Sequence, residues 1–451
     1  PASFVQARIW LDERIRFHPD KPQTATYNMP FLYRLINQHS LSKRQLRHAL
    51  HLLIIKHQSL HTSLIFDTEK NLLIQRVNDI NNTNNQFYTF TESVFQTDEQ
   101  LNSIMHEEKG NPYLFDLSHG VVFRCHVVYY KEISPNNLIS DKDILIFNFH
   151  HASFDFPSMQ IFLRDLNQAY TAHFLSDNDN TLLRYLDYAI IEHQMSMTGA
   201  SMFWLDALHD CKLDQSLSLP YDRYRLLNEH RTGRGTSVSF YFGQDLSHNF
   251  LLYASSHNIK HKYLALATYF IFLFKLTNGE KDLCISMNVD NRYRDELKSI
   301  IGLFENVIPL RCQLKSRWSF HYLLDSVREI ATNSVRYSYF PLQRILNQYS
   351  NISKPVFLDT SFEFLSSMIT VGSKLIVIGD SQLCSIPFTM NINDNKTINK
   401  YDFSLIIQHD LNTNQLSCTI NASVDLFNVQ TINKISQRFH SLLNQLFISV
   451  D

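Results

Sequence analysis

An apolar strand that opens into a loop and then a helix constrains the fold of this chain more than any other segment. Residues 144–149, ILIFNF, are apolar, β-branched or aromatic with one exception, and the length of the run is typical of a strand. Pro157 suits the first position of a helix, and apolar residues follow at helical spacing: Met159, Phe162, Leu163, Leu166 and Tyr170. The segment predicts strand, tight loop and helix, with the loop side chains at a sheet edge, where pockets form.

The loop carries two adjacent histidines, His150 and His151, and the carboxylate of Asp155. An imidazole can exchange a proton near neutral pH, which few other unperturbed side chains can do. The pair alone fits two interpretations, which both stay open here. One is a histidine that takes part in proton chemistry, and the other is a structural core histidine beside a solvated one. Adjacent side chains on an extended backbone point to opposite faces and cannot easily hold one ion. His257 and His261 have helical spacing but no acidic or cysteine partner nearby in sequence, so we predict no metal site.

The length of the chain, 451 residues, exceeds the size at which one hydrophobic core keeps growing, so we expect two lobes. Apolar residues make up 44% of the sequence, which is enough to fill two cores. Lys and Arg total 41 against 43 Asp and Glu, so no basic excess favours nucleic acid or an anionic membrane as a partner. The longest apolar stretch, residues 263–274, is too short to span a membrane and predicts a core helix.

The six cysteines, at positions 125, 211, 284, 312, 384 and 418, are scattered without a Cys-x-x-Cys pair. Such spacing argues against a metal knuckle or a redox motif. A reducing, cytoplasmic compartment is the simplest expectation. The sequence starts at Pro1 and no charged-then-apolar leader follows, so we expect a piece of a longer chain.

Local patterns in the first half predict a mixed α/β lobe. A capping-box pattern at residues 42–45 opens an amphipathic helix with apolar residues from Leu46 to Ile54. Further elements are predicted in the same way: a hairpin at 64–66 and 72–74, and strands at 121–130 and 144–149. The polar stretch 176–180 is the candidate hinge. We therefore expect two domains, residues 1–178 and residues 179–451.

The second half partly repeats this plan. A buried helix at 263–276 leads into a second central strand at 283–287, and the residues that open this strand, Lys281 and Asp282, match Lys142 and Asp143 before the first. The remaining predictions are an exposed loop at 391–400, a strand at 403–408 and a final amphipathic helix at 429–447. Two lobes of similar build fit these patterns.

Motifs spread from the first residues to the last match those of one protein family in the same order. Residues 3–10 resemble SxAQxRLW, and His57, Leu60 and Thr62 fit RHExLRT. Residues 150–155 fit HHxxxDG, with Phe156 in place of the glycine. Two later segments agree as well: residues 185–189 resemble YxDFA, and residues 301–306 with Pro309 and Arg311 resemble IGxFxNxxPxR. On these motifs the chain resembles the condensation domain of nonribosomal peptide synthetases.

The resemblance implies an α/β fold of mixed sheets, arranged as a V-shaped pair of chloramphenicol acetyltransferase-like lobes with an active-site tunnel between them. Donor and acceptor carrier proteins would dock at opposite mouths and deliver thioesters on phosphopantetheine arms. The domain itself would bind no cofactor, and an adenylation domain would be its neighbour in the full-length chain. The implied reaction is amide formation, in which the acceptor's α-amino group attacks the donor thioester carbonyl.

The resemblance also implies roles for individual residues in the loop. His151, the second histidine, would be catalytic, as a base or as a hydrogen-bond positioner of the attacking amine. Asp155 would pair with an arginine from the second lobe's central strand, and Arg292 stands at that place. Together with His150, this ion pair would support the catalytic loop.

Two further residues are expected to line the substrate tunnel, Phe156 and Asn306. Glycine allows backbone conformations and close approaches that a residue with a side chain restricts. An aromatic ring at position 156 would therefore narrow or reshape the tunnel. This change either tunes the site for particular donors or indicates reduced catalysis.

Two other functions stay open on the sequence. One is a non-catalytic docking module that binds carriers or recruits another enzyme, and the other is a stand-alone acyltransferase with a soluble acceptor. Retention of His151, Asp155 and Arg292 favours catalysis. The histidine pair argues against a cyclisation domain, whose motif is Asp-based, and the second lobe lacks the further signatures of epimerisation domains.

Overall fold

The computed structural model of the chain describes these residues: 1–15, 24–36, 38–80, 87–175, 183–225, 230–315, 317–349, 356–367, 376–386 and 397–448. Helices and strands alternate irregularly along them, so the expected mixed α/β class is confirmed. The predicted hinge at 176–180, and residues 391–396 of the predicted loop, lie outside these ranges.

The described α-helices are α1 (Phe4–Ile15), α2 (Lys43–Lys56), α3 (Asp98–Gly110), α4 (Ser158–Ala172), α5 (Tyr185–Gln194), α6 (Thr198–Ala207), α7 (Gln244–Ser256), α8 (His261–Leu276), α9 (Phe320–Arg336), α10 (Leu342–Leu346) and α11 (Val429–Phe447). The described strands of the first half are β1 (Asn28–Leu35), β2 (Leu41–Ser42), β3 (Thr62–Asp67), β4 (Leu72–Val77), β5 (Thr89–Phe95), β6 (Phe123–Tyr130), β7 (Leu138–Ile139) and β8 (Ile144–His150). Those of the second half are β9 (Arg234–Tyr241), β10 (Asp282–Asp290), β11 (Glu305–Gln313), β12 (Thr360–Ser367), β13 (Ile376–Ile378), β14 (Ser381–Ile386), β15 (Thr397–Ile398), β16 (Phe403–Asp410) and β17 (Gln415–Ser423).

The chain divides into two compact units, each formed by several segments. The first comprises Pro1–Ser196, Arg292–Glu305 and Lys374–Met390, and the second comprises Met197–Asn291, Asn306–Ser373 and Asn391–Asp451. This division differs from the single boundary expected at residue 178. Long-range pairing is the reason, because β14 pairs with β1 and so brings a late segment of the chain into the first unit.

The first unit is built on a six-stranded sheet with the order β13-β14-β1-β8-β6-β5. The strand β8 is antiparallel to both of its neighbours, β1 and β6. All seven of its residues are buried, which explains why its sequence is almost continuously apolar rather than alternating. Rings from the sheet, from the loop after β8 and from α4 fill the core beside it: Phe123, Phe147, Phe149, Phe154 and Phe162.

The second unit is built on a seven-stranded sheet with the order β11-β10-β12-β16-β17-β9-β15. The strand β10 lies inside this sheet and pairs with β12 in parallel. The helix α8 is buried around most of its circumference, which confirms the predicted core helix. No helix in the described part of the chain is long and apolar enough to cross a membrane.

Most elements predicted from local patterns are present with similar bounds. The Ser42 side chain accepts a hydrogen bond from the backbone N–H of Gln45 at 3.4 Å and caps α2, as the capping-box pattern predicts. The strands β3 and β4 form the expected antiparallel hairpin. Pro157 precedes α4 as its N-cap with helical dihedral angles rather than occupying the first helical position.

Candidate active site

The end of β8 places the histidine pair at the start of a tightly bonded loop. The backbone N–H of His150 donates to the carbonyl oxygen of Val122, and that of His151 donates to the carbonyl oxygen of Tyr27, both at 2.9 Å. Further along the loop, the buried ring of Phe154 stacks on Phe149 with a centroid distance of 3.7 Å. The loop is therefore fixed at both ends, by the sheet backbone and by the aromatic core.

His151 is held with one ring nitrogen toward the protein backbone. Its Nδ1 lies 2.9 Å from the carbonyl oxygen of Phe154. A carbonyl oxygen only accepts, so Nδ1 carries the proton, and in the neutral ring Nε2 is the nitrogen with the lone pair. Nε2 lies 3.9 Å from Oε1 of Glu305, and the two side chains are 14% and 20% exposed. The arrangement orients a proton-accepting nitrogen beside a carboxylate.

His150 has the opposite tautomer and a more buried position. The backbone N–H of Ala152 donates to its Nδ1 at 3.1 Å, so Nε2 carries the proton. Nε2 lies 2.9 Å from Oε1 of Glu13, to which it donates. Both ring nitrogens of His150 thus serve contacts within the protein, which fits the predicted supporting role.

Asp155 and Arg292 form the ion pair that the resemblance implied, although Arg292 belongs to the first compact unit rather than to a second lobe. The guanidinium of Arg292 donates to both carboxylate oxygens, at 2.7 and 2.8 Å, and the side chains are 4% and 1% exposed, respectively. The carboxylate also accepts from the backbone N–H of Phe304 at 2.9 Å and from the hydroxyl of Ser158 at 2.6 Å. The guanidinium carbon lies 4.3 Å from the centroid of the Phe304 ring, a cation–π contact. Every charge in this pair is therefore compensated.

The segment from Ile300 to Phe304 is bound to this loop by Ser158 and Gly302. The backbone N–H of Gly302 donates to the Ser158 hydroxyl at 3.1 Å, and the Arg292 guanidinium donates to the Ile300 carbonyl oxygen at 3.2 Å. A β-carbon at position 302 would lie 2.1 Å from the ring of Tyr185, so only glycine fits this close approach.

Three of the sequence motifs meet at Tyr185. Its hydroxyl donates to the carbonyl oxygen of Leu303, and it lies 2.8 Å from the hydroxyl of Ser3. Burial raises the pKa of the Tyr185 hydroxyl well above its usual value, so it stays a hydrogen-bond donor. The first, fourth and fifth motifs thus contribute to one hydrogen-bonded structure around the loop.

The two predicted tunnel residues have different surroundings. The Phe156 ring is 67% exposed and contacts Phe31 edge-on at a centroid distance of 5.4 Å. The backbone of Phe156 does not have a positive φ, so position 156 does not require glycine for its backbone conformation. Asn306 is 1% exposed, and its amide nitrogen donates to the carbonyl oxygens of Ser338 and Phe340 at 2.7 and 3.1 Å. Lining of a tunnel by either residue stays a prediction.

Three site residues were not singled out from the sequence: Glu13, Ser158 and Glu305. Ser158 follows Asp155 by three residues, a spacing at which an Asp side chain often binds the first turn of a helix. Glu305 stands at an unspecified position of the fifth motif and Glu13 lies on α1, so no local pattern pointed to either. In the described residues, no group of three or more His, Cys, Asp or Glu side chains is arranged to hold a metal ion.

A family model described as Condensation domain matches residues 1–449. The chain belongs to the condensation-domain family. This confirms the family that the motifs predicted, over the whole chain rather than at one site.

The curated relatives of this condensation domain are far longer than the domain. It is 24% identical over 463 residues to bacitracin synthase 1 of Bacillus licheniformis, a match that covers 100% of this chain and 8% of the synthase. It is 20% identical over 430 residues to gramicidin S synthase 2 of Brevibacillus brevis, a match that covers 94% of this chain and 9% of that synthase. The chain therefore spans less than a tenth of the length of these relatives.

Solved structures share the fold along the chain. The X-domain from teicoplanin biosynthesis has a TM-score of 0.80 and 19% identity, and the match covers 100% of this chain and 95% of that one. The condensation domain of the monacolin K polyketide synthase has a TM-score of 0.75 and 14% identity, covering 100% and 97%. A four-domain nonribosomal peptide synthetase has a TM-score of 0.77 and 18% identity, covering 99% of this chain and 33% of the synthetase.

Proposed function

We propose that this condensation domain forms an amide bond by attack of an acceptor's α-amino group on a donor thioester, with His151 as the catalytic residue. The observation that carries the proposal is the orientation of the His151 ring. Its Nδ1–H is used by the carbonyl oxygen of Phe154, which leaves the lone pair of the neutral ring on Nε2, in a partly exposed position. A base must be oriented in this way before it can accept a proton from a bound amine.

The proposed reaction is an acyl transfer from sulfur to nitrogen. His151 Nε2 accepts a proton from the acceptor amine, and the nitrogen forms a bond with the donor carbonyl carbon. The carbon–sulfur bond then breaks. If the acceptor arrives as a neutral amine, the thiolate takes the proton held by the imidazolium, and if it arrives as an ammonium, the thiolate takes a second proton from the nitrogen; either way the free thiol results. A positioned base contributes about 10² to 10⁴-fold, and holding two tethered reactants together can contribute more. An α-amino group has a pKa of about 7.7 to 8.0 and is partly neutral near pH 7, so positioning is the larger contribution.

The surrounding residues support this reaction by fixing the loop. The Asp155–Arg292 pair and the His150–Glu13 hydrogen bond hold the backbone on both sides of His151. We expect their loss to displace the ring rather than to remove a reacting group. In this proposal Asp155, Arg292 and His150 are positioning residues.

The substrates and partners follow from the same proposal. Both reactants would arrive as thioesters on phosphopantetheine arms of donor and acceptor carrier proteins, and an adenylation domain in the same synthetase would supply the amino acid. The domain itself would use no bound cofactor. A cytoplasmic location fits the six cysteines, all of which are free.

A single-turnover assay tests the proposal. Donor and acceptor carrier domains of the same synthetase are loaded with a panel of acyl and aminoacyl thioesters, and product on the acceptor is followed by intact mass. We expect His151→Ala to lower the rate by about 10² to 10⁴-fold while the affinity for the carriers is unchanged. His119→Ala, at a histidine of the same unit whose side chain is 79% exposed, serves as the matched control.

Three outcomes would overturn the proposal. An unchanged rate in His151→Ala would remove the catalytic assignment. Product with free amines but none with carrier-bound acceptors would instead indicate a stand-alone acyltransferase. Carrier binding without product for any pair in the panel would indicate a docking module.

A further inference from the structure

The carboxylate of Glu305 lies beside the ring of His151, the proposed base. Oε1 of Glu305 and Nε2 of His151 are 3.9 Å apart, and both side chains are partly exposed. Nε2 is the lone-pair nitrogen because Nδ1–H is bonded to the Phe154 carbonyl oxygen. The protein therefore presents two hydrogen-bond acceptors side by side, one of them negatively charged.

Two adjacent acceptors select for a ligand atom that carries at least two hydrogens. A nitrogen about 2.9 Å from each acceptor can bridge them, with an angle at nitrogen somewhat narrower than tetrahedral. An ammonium or amine group has the required donors, whereas a hydroxyl group has one hydrogen and can satisfy only one acceptor. A carboxylate also attracts the positive charge that an α-amino group carries in part near neutral pH.

We propose that Glu305 is a specificity-determining residue that binds the acceptor's α-ammonium together with His151 and commits this domain to amine acceptors rather than hydroxyl acceptors. This inference rests on the proposed function and deepens it, since it selects amide over ester as the product. The fixed backbone around the pair supports it. Phe304, the residue before Glu305, donates its backbone N–H to Asp155, so the carboxylate and the histidine loop are held by the same ion pair.

The protons balance along this path. The bound ammonium gives one proton to His151 Nε2 and becomes a neutral amine that stays bonded to Glu305. The amine attacks the thioester carbonyl, a carbon–nitrogen bond forms, and the carbon–sulfur bond breaks. A second proton leaves the nitrogen and goes to the departing thiolate, and the imidazolium later releases its proton to solvent. The carboxylate stabilises the imidazolium during the reaction and is unchanged at the end.

A binding experiment separates this role from catalysis. The probes are alanyl-pantetheine and lactyl-pantetheine in which the thioester sulfur is replaced by NH, so that they differ only in carrying an amino or a hydroxyl group. We expect the wild-type domain to prefer the amino probe, and Glu305→Gln to reduce this preference by about tenfold, because a charge-assisted hydrogen bond is lost. Glu296→Gln is the matched control, since Glu296 is an exposed carboxylate on the same segment and its removal should leave the preference unchanged.

The protonation of His151, followed by NMR of the ring carbons, is a second readout that needs no ligand. We expect Glu305→Gln to lower the pKa of His151, because a nearby negative charge favours the protonated ring. A preference unchanged within twofold in Glu305→Gln would overturn the inference, even if the pKa of His151 falls. That result would leave the catalytic role of His151 intact. A fully active His151→Ala variant would instead remove the catalytic role of His151, while a preference for the amino probe measured on the wild-type domain and reduced in Glu305→Gln would still stand.

Discussion

The guanidinium of Arg292 donates one hydrogen bond to each carboxylate oxygen of Asp155, at 2.7 and 2.8 Å, across 137 residues of sequence. Both side chains are almost fully buried. Loss of one partner leaves the other charge buried without compensation, which costs about 3 to 5 kcal/mol. This pair therefore accounts for the position of the histidine loop and for part of the stability of the first unit.

We expect Asp155→Asn to lower the free energy of unfolding by about 3 to 5 kcal/mol and to reduce single-turnover product formation strongly. Urea denaturation measures the first effect. Asp187→Asn is the matched control, because Arg184 binds Asp187 with two hydrogen bonds at 2.8 and 2.9 Å in a largely exposed pair. The control should cost about 1 kcal/mol. Equal losses in the two variants would contradict the structural role of Asp155.

The two histidines should differ in their response to mutation. His150→Ala removes the bond to Glu13 and should lower stability by about 1 to 3 kcal/mol, with a smaller loss of rate than His151→Ala. Glu13→Gln keeps an oxygen that accepts from His150 Nε2, so it should behave nearly as wild type. Melting temperature and single-turnover rate are measured together. The same loss of rate in His150→Ala and His151→Ala would assign both rings to the chemistry.

Phe156 stands where the motif has glycine, yet its backbone does not need glycine. We expect Phe156→Gly to fold and to lose about 0.5 to 1 kcal/mol, because glycine gains backbone entropy in the unfolded chain. Phe156→Ala removes the ring without this entropy effect and is the control. Product formation should stay within an order of magnitude in both. If removal of the ring raises the rate more than about tenfold, the ring obstructs the site.

A buried histidine that contacts α4 should make the domain sensitive to mild acid. Burial lowers the pKa of His57 despite its hydrogen bond to Asp165 at 2.9 Å. Burial would raise the pKa of Asp165, but hydrogen bonds from His57, Arg164 and Lys56 hold it well below its usual range. The unfolded chain binds a proton at His57 near pH 6.5 and the folded chain does not, so stability falls as the pH drops below about 6.5.

Melting temperatures between pH 7.5 and pH 5 check this expectation. The contribution of Asp165 is lost only at lower pH, near and below about 3.9, so the mild-acid window reports the histidine. His57→Gln keeps a donor for Asp165 but does not titrate, and its melting temperature should fall less across this window. His61, whose pKa is also lowered by burial, remains in both proteins and cancels in the comparison. An identical fall in the two proteins would rule out His57 as the source.

Local patterns were enough to predict most of the elements near the site. The strand β8, the following helix α4 and the core helix α8 each have a hydrophobic pattern that matches one kind of buried surface. The family followed from motifs along the chain, and the family model that matches residues 1–449 confirms it. The motif HHxxxD by itself identifies three residues of the loop, His150, His151 and Asp155.

Contacts between distant residues could not be worked out from those patterns. The bond from His150 to Glu13 and the approach of Glu305 to His151 join residues 137 and 154 positions apart, and neither acidic residue has a signature of its own. The tautomers of the two histidines depend on the Ala152 amide and the Phe154 carbonyl, which point to the rings only once the loop is folded.

The sequence by itself determined the mixed α/β class, the family and the histidine loop, because hydrophobic periodicity and motif spacing are local properties that do not depend on the rest of the chain. Tertiary structure decided which segments form each unit, how each imidazole is protonated and which carboxylate lies beside the proposed base. Those features depend on hydrogen bonds between segments far apart in sequence, and their geometry is set by packing of the whole unit. The proximity of Glu305 to His151, on which its proposed role rests, belongs to this second group.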